Sequence, residues 1–256
     1  MSTDLTYIKT FSEEKWGSTF HEIQSISGSE NIFVCHINIS DLEKMALELS
    51  TKVLDQSWII NLDNRASRAY QTTAQETARL LVEVFKKPVD SDKVSSEFGE
   101  LMVSMGASKA LEVIFGHRSI PIAELWKPKV LQNEGFDFHT VCSENIINFG
   151  EAKFSGSSNP YGGNSGDTTG AGGQADGFIG NNKHLMDGVH LEHLAGNDAA
   201  TNLDNDLFGI ILAFSINAVN PLLIFKNALD NSKTYENLTK AKNIYIVGVS
   251  HEFKGN

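Results

Sequence analysis

The run Ile146-Ile147-Asn148-Phe149-Gly150-Glu151-Ala152-Lys153-Phe154 constrains this chain more than any other stretch. It is short and apolar and gives way to a Gly/Ser/Asn-rich segment, which predicts a buried strand. Yet it holds Glu151 and Lys153. Strand side chains alternate between faces, so these two point to the same side. A carboxylate and an ammonium on one face of a central strand are costly to bury without a purpose. A divalent cation, a water and a phosphate supply one. The acid binds a hard cation, and the lysine orients or deprotonates a water and offsets phosphoryl charge.

The rest of the chain sets limits on that chemistry. Its 256 residues, 41% hydrophobic, suffice for one large domain or two small ones. No apolar run is long enough to cross a bilayer, and the polar stretch Met1 to Lys15 does not resemble a signal peptide. Cys35 and Cys142 stand alone in apolar contexts, so they are expected to be reduced core residues of a cytoplasmic protein, and a zinc ribbon is excluded. The formal charge is −11, and arginine occurs only at positions 65, 68, 79 and 118. Affinity for nucleic-acid phosphates comes mainly from cationic surface, so this is a poor free-standing nucleic-acid binder. If it works on DNA or RNA, something else delivers the substrate.

Taken in order, Asn31 to Ile39 predicts a strand. Ser40-Asp41 then opens a helix carrying Leu42, Met45, Ala46, Leu49 and Val53. Ser57 to Leu62 predicts another short strand. Gln71 to Lys87 predicts a helix ended by Pro88. Val89 to Ser96 is a connection. A helix capped by Ser95 or Ser96 follows, with Leu101, Met102, Met105, Ala110, Leu111 and Ile114 on its apolar face; its Gly99 and Gly106 each need a packing reason. Ile120 to Val130 connects, and Gly135 to Val141 predicts a strand in hairpin with Ile146 to Phe154. In Ser155 to Gly180, nine of 26 residues are glycine, which predicts either a mobile loop beside the site or an incidental flexible insertion. Lys183 to Leu194 predicts a helix, Leu207 to Val219 a buried helix, and Asn243 to Val249 a closing strand.

An acid-x-lysine triplet alone is weak, since about two are expected by chance at this composition. Of Glu13-Glu14-Lys15, Glu151-Ala152-Lys153 and Glu252-Phe253-Lys254, only the middle one lies in an apolar strand that follows another acid-bearing strand, around Asp137. Phosphodiester hydrolysis needs a divalent ion to polarise the phosphoryl oxygen and acidify a water. Mg²⁺ is usually held by one or two carboxylates plus waters. Asp137 and Glu151 on paired strands supply two. Glu100, on a helix packed against the sheet, supplies a third or an outer contact, and Lys153 positions the water.

Gly99-Glu100 on a helix, Gly135-Phe136-Asp137-Phe138-His139 on a strand and Gly150-Glu151-Ala152-Lys153-Phe154 on the next resemble the PD-(D/E)XK nuclease superfamily. More narrowly they resemble the HamA family, the nuclease subunit of the Hachiman anti-phage defence system. The likeness covers about residues 96 to 154. No proline precedes Asp137, which departs from the literal motif. The resemblance implies an α/β fold, a PD-(D/E)XK-like mixed central sheet flanked by helices. A core over 96–256 would carry an N-terminal α/β portion, 1–95, packed on it. It further implies a deoxyribonuclease dependent on Mg²⁺ or Mn²⁺, with Glu100, Asp137, Glu151 and Lys153 catalytic and the three acids as metal ligands. It also implies a HamB-like helicase partner that restrains the nuclease and hands it DNA.

Competing readings are a strand-edge ion pair for Glu151 and Lys153, a cap or turn for Asp137, a solvated helix residue for Glu100, and a core or surface position for His139. His190 and His193 stand at i, i+3 on the helix that also carries His184, but the sequence nominates no third zinc ligand. The glycine pairs of 155–180 lack the Gly-Lys-Ser/Thr of a phosphate loop. Two other functional classes are consistent with the chain: a catalytically inactive adaptor that regulates a helicase, and a histidine-based metallohydrolase.

Overall fold

The structure, a computed structural model, describes residues 5–24, 30–90, 93–127, 135–156, 160–163 and 167–251. The triplet at Glu252 lies outside these. Ten strands form within them: β1 (Tyr7–Glu13), β2 (Ser18–Ile23), β3 (Ile32–Ile39), β4 (Val89–Asp90), β5 (Lys93–Val94), β6 (Arg118–Ser119), β7 (Phe138–Val141), β8 (Ile147–Lys153), β9 (Phe208–Ser215) and β10 (Asn243–His251). Apart from the small β4–β5 hairpin, they make one eight-stranded sheet in the order β1-β2-β3-β10-β9-β8-β7-β6. The inner four, β3, β10, β9 and β8, run parallel. Antiparallel pairs extend the sheet on either side. β1 to β3 come from the 1–95 portion and β6 to β10 from 96–256, so one sheet joins the two.

Parallel strands covered on both faces read as unbroken apolar runs rather than alternating ones. That explains β9. All eight of its residues are buried, and periodicity alone cannot separate such a run from a buried helix. The helix expected over Leu207 to Val219 is therefore a strand, paired on both edges. The expected closing strand, β10, lies in the interior of the sheet between β3 and β9.

Among the described residues eight helices surround the sheet: α1 (Leu42–Leu54), α2 (Ser57–Ile60), α3 (Asn64–Phe85), α4 (Ser96–Phe115), α5 (Ala171–Gly180), α6 (Lys183–Ala195), α7 (Asn197–Asp204) and α8 (Pro221–Ser232). Tyr245 of β10 meets Phe115 of α4. Gly248, on the opposite face of the strand, lies against Phe225 of α8, so these helices cover opposite sides. Asp41 caps α1 through Lys44 N at 3.1 Å, and Ser95 caps α4 through Phe98 N at 3.3 Å. Asp63 caps α3, accepting from the amides of Arg65 and Ala66, so that helix starts well before Gln71.

Two further expectations are corrected. Ser57 to Leu62 is not a strand: Asp55 accepts a 2.9 Å bond from Ser57 N and starts the single turn of α2. It bridges two helices and has no strand neighbour to pair with. The second half of the glycine-rich segment is ordered into α5, with Ala171, Ala175, Phe178 and Ile179 buried at helical spacing. Its glycines permit close packing. A Cβ on Gly173 would collide with the backbone of Asp167. Cys35 and Cys142 are free and buried. No helix among the described residues is long and apolar enough to cross a membrane.

Phe214 of β9 is fully buried between Tyr161 and Phe225. Phe214→Ala is expected to cost about 3–5 kcal/mol of stability, read from the urea-unfolding midpoint.

Candidate active site

The site forms where β7 runs out beside β8. The last regular pair of their ladder is Phe138 with Gly150, and Asp137 extends it by one bond, its amide donating 2.9 Å to Gly150 O. Beyond that point β8 has no strand neighbour on this side among the described residues. The Asp137 side chain takes over: its Oδ2 accepts from Ala152 N at 2.8 Å. Asp137 is thereby fixed against the residue that separates Glu151 from Lys153.

Glu151 and Lys153 do share a side of β8, with Nζ 2.8 Å from Oε1. Glu151 is 1% exposed. Neither of its carboxylate oxygens has a partner with hydrogen-bond geometry among the described residues, so the lysine contact is close but poorly aligned. Lys153, about a quarter exposed, reaches into a cleft of about 360 Å³ lined also by Glu97, Glu100, Glu124, Asp137 and Ala152. Glu100 is exposed on the rim, on the first turns of α4. Its neighbour Gly99 shows its packing reason here, because any Cβ would strike the Phe154 ring that closes β8 against α4.

Two participants escaped the sequence reading. Glu124 sits on the single turn Ala123–Leu125, which is held to the strand by Ala123 N donating 3.2 Å to Asp137 O. Its Oε2 is buried without a partner among the described residues. The available signal was an acid inside the apolar run Ile122-Ala123-Glu124-Leu125-Trp126. The second is Lys127, whose ammonium bonds Phe136 O and Asp187 Oδ2, the latter at 2.9 Å. Asp187 of α6 also accepts from Phe136 N at 3.1 Å. His139 is fully buried with Nε2 3.3 Å from Asp187, so it belongs to this brace and not to the carboxylate group. His190 bonds Tyr70, and His193 approaches Asp63 at 3.6 Å; the two histidines do not converge on one centre.

The electrostatics of the cluster are unusual. Burial pushes Asp137 up to about 6, with the Ala152 amide and Lys153 pulling back. Burial and then the charge of Asp137 push Glu124 up to about 7. Burial, reinforced by Asp137, holds Glu151 well above the usual carboxylate range despite Lys153. Burial alone would lower Lys153, but Glu151 and Asp137 more than offset it and raise its pKa. Near neutral pH the lysine is therefore an ammonium. It can orient a water or meet a phosphoryl oxygen, while proton acceptance falls to the carboxyls.

Among the described residues no group of three His, Cys, Asp or Glu side chains is arranged to hold a metal ion. The donor set still fits a cation that takes one or two carboxylates and completes its shell with water and substrate oxygens. Asp137 lines the cleft, and its charge is felt by the buried Glu151, whose carboxylate is ion-paired with Lys153. Comparison with protein-family models, with curated proteins and with solved structures returned no match.

In the absence of divalent ions, the raised carboxyl groups make stability fall as pH rises. The native state holds protons on Asp137 and Glu124 that the unfolded chain releases near 3.8 and 4.5. Their contribution is complete below those values and is lost as pH climbs through about 6 and 7. Glu124→Gln is expected to flatten the upper part of this profile, measured as melting temperature against pH in chelator.

Proposed function

We propose that the chain is a metal-dependent deoxyribonuclease of PD-(D/E)XK type, the effector subunit of a HamA-like anti-phage defence complex that receives DNA from a HamB-like helicase. One observation carries the reading. A buried Glu151 and the Lys153 ammonium that it pairs with at 2.8 Å flank the amide that fixes Asp137. The resemblance of residues 96 to 154 adds the family. The net charge of −11 supports a subunit that depends on a partner for DNA.

Asp137 and Glu151 would hold Mg²⁺ or Mn²⁺, with Glu100 contributing from the rim. When bound, such an ion polarises a phosphoryl oxygen and lowers the pKa of an attacking water. The chain's own groups do the rest. Lys153 places its positive charge over the cleft, where a scissile phosphate and the attacking water would sit. Glu124, titrating near neutrality, is suited to take a proton from that water. The brace of Asp187 and Lys127 keeps the segment before β7 in place and adds positive charge beside the acids.

Glu151→Gln and Lys153→Ala are each expected to reduce Mg²⁺-dependent DNA cleavage by the complex at least about a hundredfold. Folding and partner binding should persist, checked by melting temperature and co-purification. Cleavage at the original rate in either variant overturns the assignment. If the unmodified complex never cuts DNA at any Mg²⁺ or Mn²⁺ concentration, the inactive adaptor is the function that remains.

A further inference from the structure

A second cleft, of about 840 Å³, opens between the first half of α3 and the end of α6. Arg65, Lys127, His190 and His193 line it together with Tyr70, and Asp63 is the carboxylate in its wall. Asp63 is committed elsewhere, capping α3 and facing His193. Arg65 is exposed and forms no ion pair among the described residues. Three of the chain's four arginines, Arg65, Arg68 and Arg79, fall on the exposed side of this one helix. In a chain with net charge −11 that concentration is notable.

The cleft adjoins the carboxylate cluster. Lys127 stands in its wall and its charge is felt by Asp137, Glu124 and Glu151. α3 spans both features. Asn64, Arg65, Ala66, Ala69, Tyr70 and Thr73 of this helix line the first cleft, and Leu80, Leu81 and Val84 line the acidic one. From Tyr70 to Leu80 the helix advances roughly 15 Å. Glu83, the acid nearest the far end, is paired with Lys86 at 2.6 Å.

We infer that the α3–α6 cleft holds a single strand of DNA beside α3 on its way to the carboxylate cluster. The exposed Arg65 meets its phosphates, and a base lies on Tyr70. Grooves that set a positive charge beside an aromatic platform bind single strands without base preference. The inference rests on the nuclease reading for its direction, but binding can be measured without cleavage.

The test is fluorescence anisotropy of a short labelled single-stranded oligodeoxynucleotide with the full chain, in chelator at low salt. Arg65→Glu and Tyr70→Ala are expected to weaken binding about fivefold or more. Tyr70→Phe should retain it, and Glu151→Gln should not weaken it. Wild-type affinity in both Arg65→Glu and Tyr70→Ala overturns the inference. So does a mononucleotide that binds as tightly as the oligonucleotide, which would mark a free-nucleotide site. Failure here with cleavage still lost in Glu151→Gln leaves the nuclease intact. The expected binding pattern in a chain that never cuts removes the nuclease and keeps the cleft.

Discussion

One backbone amide governs the geometry of the site. Ala152 N–H lies just past the end of the neighbouring strand, where a buried donor without an acceptor would be penalised by about 1–3 kcal/mol. The Asp137 carboxylate fills the gap. The bond does structural and chemical service together. It finishes the edge of the sheet, and it fixes an acid between the two charged side chains that the strand presents. Glu124 is coupled to the same place, because its turn hangs from the Asp137 carbonyl.

From that constraint follows a division of protonation states. Three acids crowded into a poorly solvated corner cannot all ionise cheaply near neutrality, so each raises another or is raised by burial. The lysine gains from the same crowding and keeps its proton. The brace from α6 supplies further positive charge through Lys127. Perturbed ionisation of this kind clusters at functional sites, although structural networks produce it too.

Much of this was legible before the fold was known, for specific reasons. β3, α1, α4, α6 and the β7–β8 hairpin carry caps, periodicity or turn chemistry that act locally. An acid and a lysine inside an apolar strand stand out in any reading. β9 did not read correctly because burial on both faces erases the alternation that marks a strand. α5 was hidden because glycine content signals looseness, whereas here it lets a helix press against its neighbours. Glu124 sat in a connector between two prolines, with nothing local to say that its turn folds back over Asp137. Nor does any residue pattern announce that β10 belongs beside β3, since that pairing depends on everything folded between them.

The position of β10 has a consequence for how the molecule is made. β3 emerges early in synthesis, yet its inner edge acquires its parallel partner only when β10 appears some two hundred residues later. Until then β9 lacks one of its two partners and α4 lacks part of the sheet it packs on. Contacts so distant along the chain slow folding and prolong the exposure of open strand edges. A chain cut short before β10 would therefore carry every acid of the corner and still lack the scaffold that holds them at working distance.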